Sequence, residues 1–258
     1  MANKMTHENV RCDRLSALID RFQISVTPMS GPCANLLILE DLLTAAPRRV
    51  LLSPHGPVNP RSVEDETVTL SAMVAWGGAA NPLFASLPAE IDIDLTSDAE
   101  TTTLISLFRA EAWAQRCGVE TVLDRLGEIL IIRLLRVQIS RGTTEPGLLA
   151  GLAEPRIARA IVAIHEGPGR SWRSEDLAEI AGLSLSRFAE LFAASVGETP
   201  MAYLRRWRMV LARQDLARGE RVQTVARRYG YGSGEALSRA FRRSFGTSPI
   251  ALRRKAAA

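Results

Sequence analysis

Three arginines near the end of the chain, Arg239, Arg242 and Arg243, fall three and four residues apart in a run where Leu237, Ala240, Phe241 and Phe245 recur at helical spacing. A helix there buries the apolar residues and turns Glu235, Ala236, Ser238 and the arginines outward. A guanidinium offers five donors in a planar fork, which matches the edge of guanine and the oxygens of a phosphate. Arg239, near the middle of that face, suits a base edge; Arg242 and Arg243, nearer the end, suit phosphate. An earlier run has the same construction, with Phe188, Leu191 and Phe192 inward and Ser186, Arg187, Ala189, Glu190, Ala193 and Ala194 outward. Its Glu190 could accept from cytosine N4 but repels phosphate, so this run is expected to read few bases or none.

No catalytic constellation competes with these helices. The chain has only His7, His55 and His165, too few for a clustered metal site, and His55 in Ser-Pro-His-Gly-Pro is expected in a surface loop. Gly230-Tyr-Gly-Ser-Gly234 superficially resembles a phosphate loop but lacks a preceding parallel strand and falls in a turn. Asp92 and Asp94 alternate along a β run and read as its solvated face. Trp76 and Trp113 fit either a ligand cavity or a core. No catalytic, metal or cofactor-binding residue is assigned.

The elements that must position the two runs repeat. Ala178 and Gly182 match Ala226 and Gly230 at an offset of 48, and Ser184, Phe192 and Pro200 match Ser233, Phe241 and Pro249 at 49. A small residue, a glycine, a polar cap and an amphipathic helix, said twice, predict two helix-turn-helix units, at 174–195 and 222–245. Ser174 and Ser184 are expected caps, and Gly182 the left-handed exit between helices. A helix opened by Pro200 and running 201–217 joins the units. At about 1.5 Å per residue it is long enough to set two recognition helices in successive major grooves, roughly 34 Å apart.

Charge divides the chain at the same place. Residues 1–153 hold 13 Lys and Arg against 18 Asp and Glu, whereas residues 154–258 hold 19 against 10, and 18 of those 19 cations are arginine. A polyanionic partner for the C-terminal half follows, nucleic acid ahead of membrane. Cys12, Cys33 and Cys117 are odd in number with no Cys-x-x-Cys spacing, so reduced thiols in a cytoplasm are expected; no export signal or membrane span is read.

The N-terminal half alternates short β runs with turns. Residues 1–12 read as a mobile tail and 13–21 as a short helix. Strands are expected at 22–27, 36–39, 50–53, 67–76 and 91–95, separated by Pro, Gly and Asn, as in a small antiparallel sandwich or partial barrel. From 101 the period turns helical, with Leu104, Leu107, Phe108 and Ala112 on one face. A longer helix follows, apolar over more than one stripe, which fits packing on the sheet ahead of a subunit seam. The stretch 141–154 has linker composition. The expected organisation is a tail 1–12, a first domain 13–140, a linker 141–154 and a second domain 155–253.

The C-terminal residues resemble the AraC/XylS-type transcriptional regulators. The resemblance rests on the run 177–192, on Gly197-x-x-Pro200-x-x-Tyr203-Leu-x-x-Trp207-Arg208, and on Val225-Ala-x-x-x-Gly-Tyr with Arg239-Ala-Phe-x-x-x-Phe-Gly-x-Ser-Pro249. The part before it, with Asp13-Arg-Leu-Ser, Ala79-Ala-Asn-Pro-Leu83 and Asp124-Arg-Leu, is similar to the cupin-like domain on one branch of these regulators, here short for a complete barrel. The fold class expected is α+β: a short β-rich cupin-like domain with a helical pair, then an all-α double helix-turn-helix domain. The resemblance implies a cytoplasmic, sequence-specific DNA-binding transcription factor, activator or repressor, with Ser186, Arg187, Glu190, Glu235, Ser238, Arg239, Arg242 and Arg243 at duplex DNA. Its implied partners are RNA polymerase, a small-molecule effector of unidentified class and a second copy of the chain. The alternatives of other classes are a cupin-type enzyme with an appended helical domain and a protein-interaction adaptor.

Overall fold

The computed structural model describes residues 13, 15–19, 24–58, 66–76, 81, 84, 86–114, 116–142 and 145–256, the side chains of Ala17 and of residues beyond Leu252 excepted. The expected tail 1–12, most of the 79–83 motif and the side chains of Arg253, Arg254 and Lys255 lie outside the described residues. The chain forms two compact units, one of Phe22–Thr144 and one of Met1–Arg21 with Glu145–Ala258.

The first unit is an antiparallel sheet with two helices. All five expected strands form: β1 Ser25–Pro28, β2 Leu36–Asp41, β3 Pro47–Leu52, β4 Glu66–Ala75 and β5 Ile91–Asp94, in the order β1-β4-β2-β3-β5. Among the described residues this is one open sheet, where a sandwich or partial barrel was expected. Helices cover one of its faces instead of a second sheet. Leu36 pairs with Leu52 and with Ala72, Leu52 pairs with Ile91, and Val26 pairs with Val74; all of these are buried. The opposite face carries a smaller cluster of Leu37, Leu39 and Leu51 closed by Ala34 and Val58. Beside it stand alternating charges, with Arg49 bonded to Asp92 at 2.5 Å and to Glu66 at 3.0 Å. Asp92 and Asp94 are exposed on β5, as alternation requires.

Helix α2, Ala99–Ala114, turns Thr101, Leu104, Ile105 and Phe108 inward, leaving the expected core residue Leu107 exposed. The difference is one helical position, because the burying face is set by Ile105 rather than by Ala112. Arg109 of α2 pairs with the buried Glu40 of β2, and Arg133 bonds Asp98, Glu100 and Thr101 at 2.7–3.1 Å across the helical pair. Helix α3, Val119–Arg141, buries Leu123, Gly127, Leu130, Ile131, Leu134 and Leu135 and exposes Val122 and Ile129. Its wide apolar pattern therefore contains a core stripe plus a second stripe left outside. Gly127 is where it crosses β1: a Cβ there would lie 2.7 Å from Cγ2 of Val26.

The second unit is all helical. A short α1, Ser16–Ile19, packs on α5, Pro155–Glu166, so the start of the chain joins the C-terminal unit and not the sheet. The stretch with linker composition holds α4, Leu148–Ala153, whose Leu148, Leu149 and Leu152 are buried against α5 and α7. Gly151 is an approach point, not a linker residue: a Cβ would stand 2.7 Å from both Ile161 Cδ1 and Val196 Cγ2. Helices α6 Ser174–Ala181, α7 Leu185–Val196, α8 Pro200–Ala217, α9 Val222–Arg228, α10 Gly234–Phe245 and α11 Pro249–Ala256 complete the unit.

The close approach at Gly127 makes a test. Gly→Ala normally gains about 1 kcal/mol in a helix, yet G127A is expected to lower the denaturation midpoint of the full chain because overpacking costs about 1–3 kcal/mol. V26A in the same background should recover much of that loss. A stabilising G127A would contradict the α3–β1 crossing.

Candidate nucleic-acid interface

Each recognition helix is built on a cap and a left-handed exit. The Ser184 hydroxyl accepts the Arg187 N–H at 3.4 Å to open α7, and the Ser233 hydroxyl accepts the Ala236 N–H at 3.2 Å to open α10. Gly182 and Gly230 sit at φ 68° and 73°, which a side chain resists. Ser174 is not the cap of α6. The helix begins at Ser174 itself, and the Asp176 carboxylate reaches back to the Arg173 N–H at 2.9 Å, because a carboxylate three residues in satisfies the orphan donor better than a hydroxyl inside the first turn.

The buried faces follow the apolar spacing. In α7, Phe188 and Phe192 are fully buried with rings 5.6 Å apart, and Phe192 meets Tyr203 of α8 edge-on at 5.8 Å. The Tyr203 hydroxyl and Nε2 of His165 are 2.6 Å apart, and the His165 ring lies over Trp207 at 4.2 Å. Burial brings the His165 imidazole down to about 3, so it is neutral throughout the physiological range, and burial likewise raises the Tyr203 phenol. In α10, Leu237 and Phe241 are fully buried, and Phe245 packs on Phe241 under the guanidinium of Arg213.

The outward faces differ in charge. On α7, Ser186, Arg187 and Glu190 are all exposed, and Arg187 binds Glu190 at 2.8 Å, so the one cation of that face is matched by its own neighbour. On α10, Glu235, Arg239, Arg242 and Arg243 are exposed and Ser238 is half-buried. Among the described residues no carboxylate lies within ion-pairing distance of Arg239, Arg242 or Arg243. The Ser233 hydroxyl, helped by Arg239, holds the Glu235 carboxyl below the usual carboxylate range.

Four of the expected residues come together. Glu235, Ser238, Arg239 and Arg242 line a groove of about 430 Å³ with Val222, Gln223, Gly234 and Ile250. Arg243 is not part of it and stands near Tyr231 with Arg205 and Arg208. The groove brings in three residues that sequence reasoning missed: Val222 and Gln223 at the start of α9, and Ile250 of α11. Gln223 Oε1 accepts the Gly234 N–H at 3.0 Å, and a Cβ on Gly234 would meet that oxygen at 2.8 Å. Only the glycine that opens the helix hinted at this closeness. A second, polar recess of about 570 Å³ lies along Asp215, Arg218, Arg221, Thr224 and Arg228.

The residues set aside behave as structural groups. His55 is exposed, 3.3 Å from the Leu87 carbonyl and edge-on to Phe84. Trp76 is buried, while Trp113 is 66 % exposed beneath Arg109. Among the described residues no group of three His, Cys, Asp or Glu could hold a metal ion, and no helix is long and apolar enough to cross a membrane.

Comparison with known proteins agrees with this division. Residues 177–255 match the family described as a helix-turn-helix domain and residues 33–140 the family described as cupin. The chain is 41 % identical over 130 residues to a putative AraC-like transcription regulator of Streptomyces lividans, covering 50 % of this chain and 43 % of that one. It is 35 % identical over 174 residues to the HTH-type transcriptional regulator AlkR of Acinetobacter baylyi, 66 % of this chain and 57 % of that one. It is 29 % identical over 216 residues to the RCS-specific HTH-type transcriptional activator RclR of Escherichia coli, 81 % of this chain and 76 % of that one. The chain spans about half the length of the first two of these relatives.

The neutral imidazole beneath α7 sets a pH dependence. The unfolded chain takes up a proton below the ordinary value of 6.5 and the folded unit does not until about 3. Stability is therefore retained above pH 6.5 and falls as pH drops between the two values, by up to about 1.4 kcal/mol per pH unit. Denaturant midpoints of the C-terminal transition measured from pH 7 to 4 should show this slope, and H165Q should flatten it by up to one proton whatever it does to the absolute stability.

Proposed function

From a helix-turn-helix domain of the AraC type that follows a cupin domain, we propose that this chain is a sequence-specific DNA-binding transcription regulator. The observation that carries the reading is the outer face of α10: three arginines without ion-pair partners among the described residues, two of them lining a groove, on a helix whose other face buries Leu237 and Phe241. Arg239 reads a base edge from the middle of that face, with Ser238 and Glu235 beside it. Arg242 and Arg243 meet phosphate. Helix α7 positions the domain through Ser186 and Arg187 and reads fewer bases than α10, because Glu190 neutralises Arg187.

The sheet unit serves as the sensing or dimerising part of this regulator. Support comes from Leu107 on α2 and from Val122 and Ile129 on α3, apolar side chains that stay exposed. A small-molecule effector or a second copy that favours one state of the chain shifts DNA affinity by its differential binding to the two states. The regulator acts in the cytoplasm and reaches transcription through RNA polymerase. The relatives' names speak for regulation and against an enzyme.

Selection of bound duplexes from random DNA with the full-length chain, followed by salt-dependent gel shifts, tests the reading. Affinity should fall steeply with salt, and absence of binding at low salt would refute it. R239A is expected to relax preference at one base pair by about 1–3 kcal/mol, whereas R243A weakens all sequences alike and lowers the salt slope by about 1. E190Q, which removes a carboxylate from the DNA face and releases Arg187, is expected to tighten binding severalfold.

A further inference from the structure

Between the two helix-turn-helix halves lies an arrangement that neither half needs for itself. The loop joining α5 to α6 folds on itself: the Trp172 indole N–H donates to the Gly167 carbonyl at 2.8 Å, and the Arg170 guanidinium covers the Trp172 ring at 4.2 Å. Arg208 of the connecting helix α8 reaches this loop with two donors. Its Nε donates to the Pro168 carbonyl at 2.6 Å and its Nη2 to the Arg170 carbonyl at 2.8 Å. Neither acceptor is a carboxylate, and burial lowers the guanidinium's proton affinity. A half-buried cation held by two backbone carbonyls is an expensive choice for a connector, and two directed bonds fix the loop's position better than one.

The same loop touches the second half. A Cβ on Gly169 would run into the Arg228 carbonyl at the end of α9, and a Cβ on Gly230 would lie 2.8 Å from the Gly169 carbonyl and 3.4 Å from Arg208 Nη2. Two glycines thus let the loop of the first half sit against the turn of the second, with the Arg208 guanidinium between them. On the far side, α9 is bolted to α8 by a buried carboxylate: Asp215 accepts from Arg228 at 2.5 Å and from the Tyr229 hydroxyl at 2.6 Å. First half, connector and second half form a closed triangle of contacts.

We propose that Arg208, with the facing pair Gly169 and Gly230, is a positioning clamp that sets the distance and phase between the two recognition helices, and hence the spacing of the two DNA segments the protein accepts. The proposal rests on the DNA-binding reading for its consequence but not for its geometry. Both of its bonds go to the loop, so Arg208 acts through the loop and through α8. A single helix joining two reading heads can bend or twist at its ends, and a closed triangle cannot do so without breaking a hydrogen bond or opening the glycine contact.

Two measurements on the full chain test it. Spin labels at Ala194→Cys and Ser244→Cys, both exposed, with Cys12, Cys33 and Cys117 replaced by serine, should give one narrow distance distribution without DNA, broadened by R208M. A broad distribution with Arg208 intact overturns the clamp whether or not the protein binds DNA. With a duplex recovered by selection, insertion or deletion of one base pair between the two contacted segments should weaken the intact protein by tenfold or more. R208M, checked by circular dichroism to be folded, should reduce that penalty to threefold or less, and R208K should lie between. A folded R208M that keeps the full penalty, or an intact protein indifferent to spacing, overturns the proposal. If R208M does not fold, the distance distribution of the intact protein decides. Absence of any duplex binding together with a narrow distribution refutes the DNA reading and leaves the clamp standing.

Discussion

A helix can offer one face to a duplex only if the other is held, and a grip that includes polar groups has to leave none of them stranded. In α7 the grip is Phe188 and Phe192 on Tyr203, and in α10 it is Leu237 and Phe241, all with essentially no exposure. Beneath them the polar groups are matched: Tyr203 with His165, and Tyr229 and Arg228 with Asp215. A buried polar group left unpaired costs about 1–3 kcal/mol. Each network therefore admits one seating of its helix, and the outward residues inherit their directions from it.

The duplicated unit consequently has two unequal halves. Both have a serine cap, a left-handed glycine and a buried phenylalanine pair or its equivalent, so the backbone is repeated. The charge is not. Arg187 meets Glu190 on the first helix, while among the described residues no carboxylate lies within ion-pairing distance of Arg239, Arg242 or Arg243 on the second. An exposed ion pair contributes little to stability, so the Arg187–Glu190 contact matters mainly because it cancels a cation where a polyanion would approach.

In both units, the position of a glycine matters as much as its flexibility. Gly127 in the middle of α3 and Gly151 in α4 carry no turn; each marks a place where a neighbouring side chain occupies the volume of a Cβ. At Gly169 and Gly230 the neighbour that a Cβ would meet is a backbone carbonyl. The open sheet does not need closure because α2 and α3 bury one of its faces, and Glu40 with Arg109 ties that layer down by a charge pair inside it.

Period and punctuation alone determined the five strands, the long helices, the two recognition helices and the outward set Ser186, Arg187, Glu190, Glu235, Ser238, Arg239, Arg242 and Arg243. Each of these depends on contacts within a few residues or on which face is apolar, and both are written along the chain. Tertiary structure alone decided which of two apolar stripes on α3 is core, since both have helical spacing and only the sheet chooses between them. It also decided that 148–153 is a packed helix, that the first helical residues of the chain join the C-terminal unit, and that Val222, Gln223 and Ile250 share a groove with Arg239. The Arg208 clamp is of the same kind. Its partners are backbone carbonyls about 40 residues away, and a carbonyl is present at every position, so no residue type in the sequence could mark which ones the guanidinium would find.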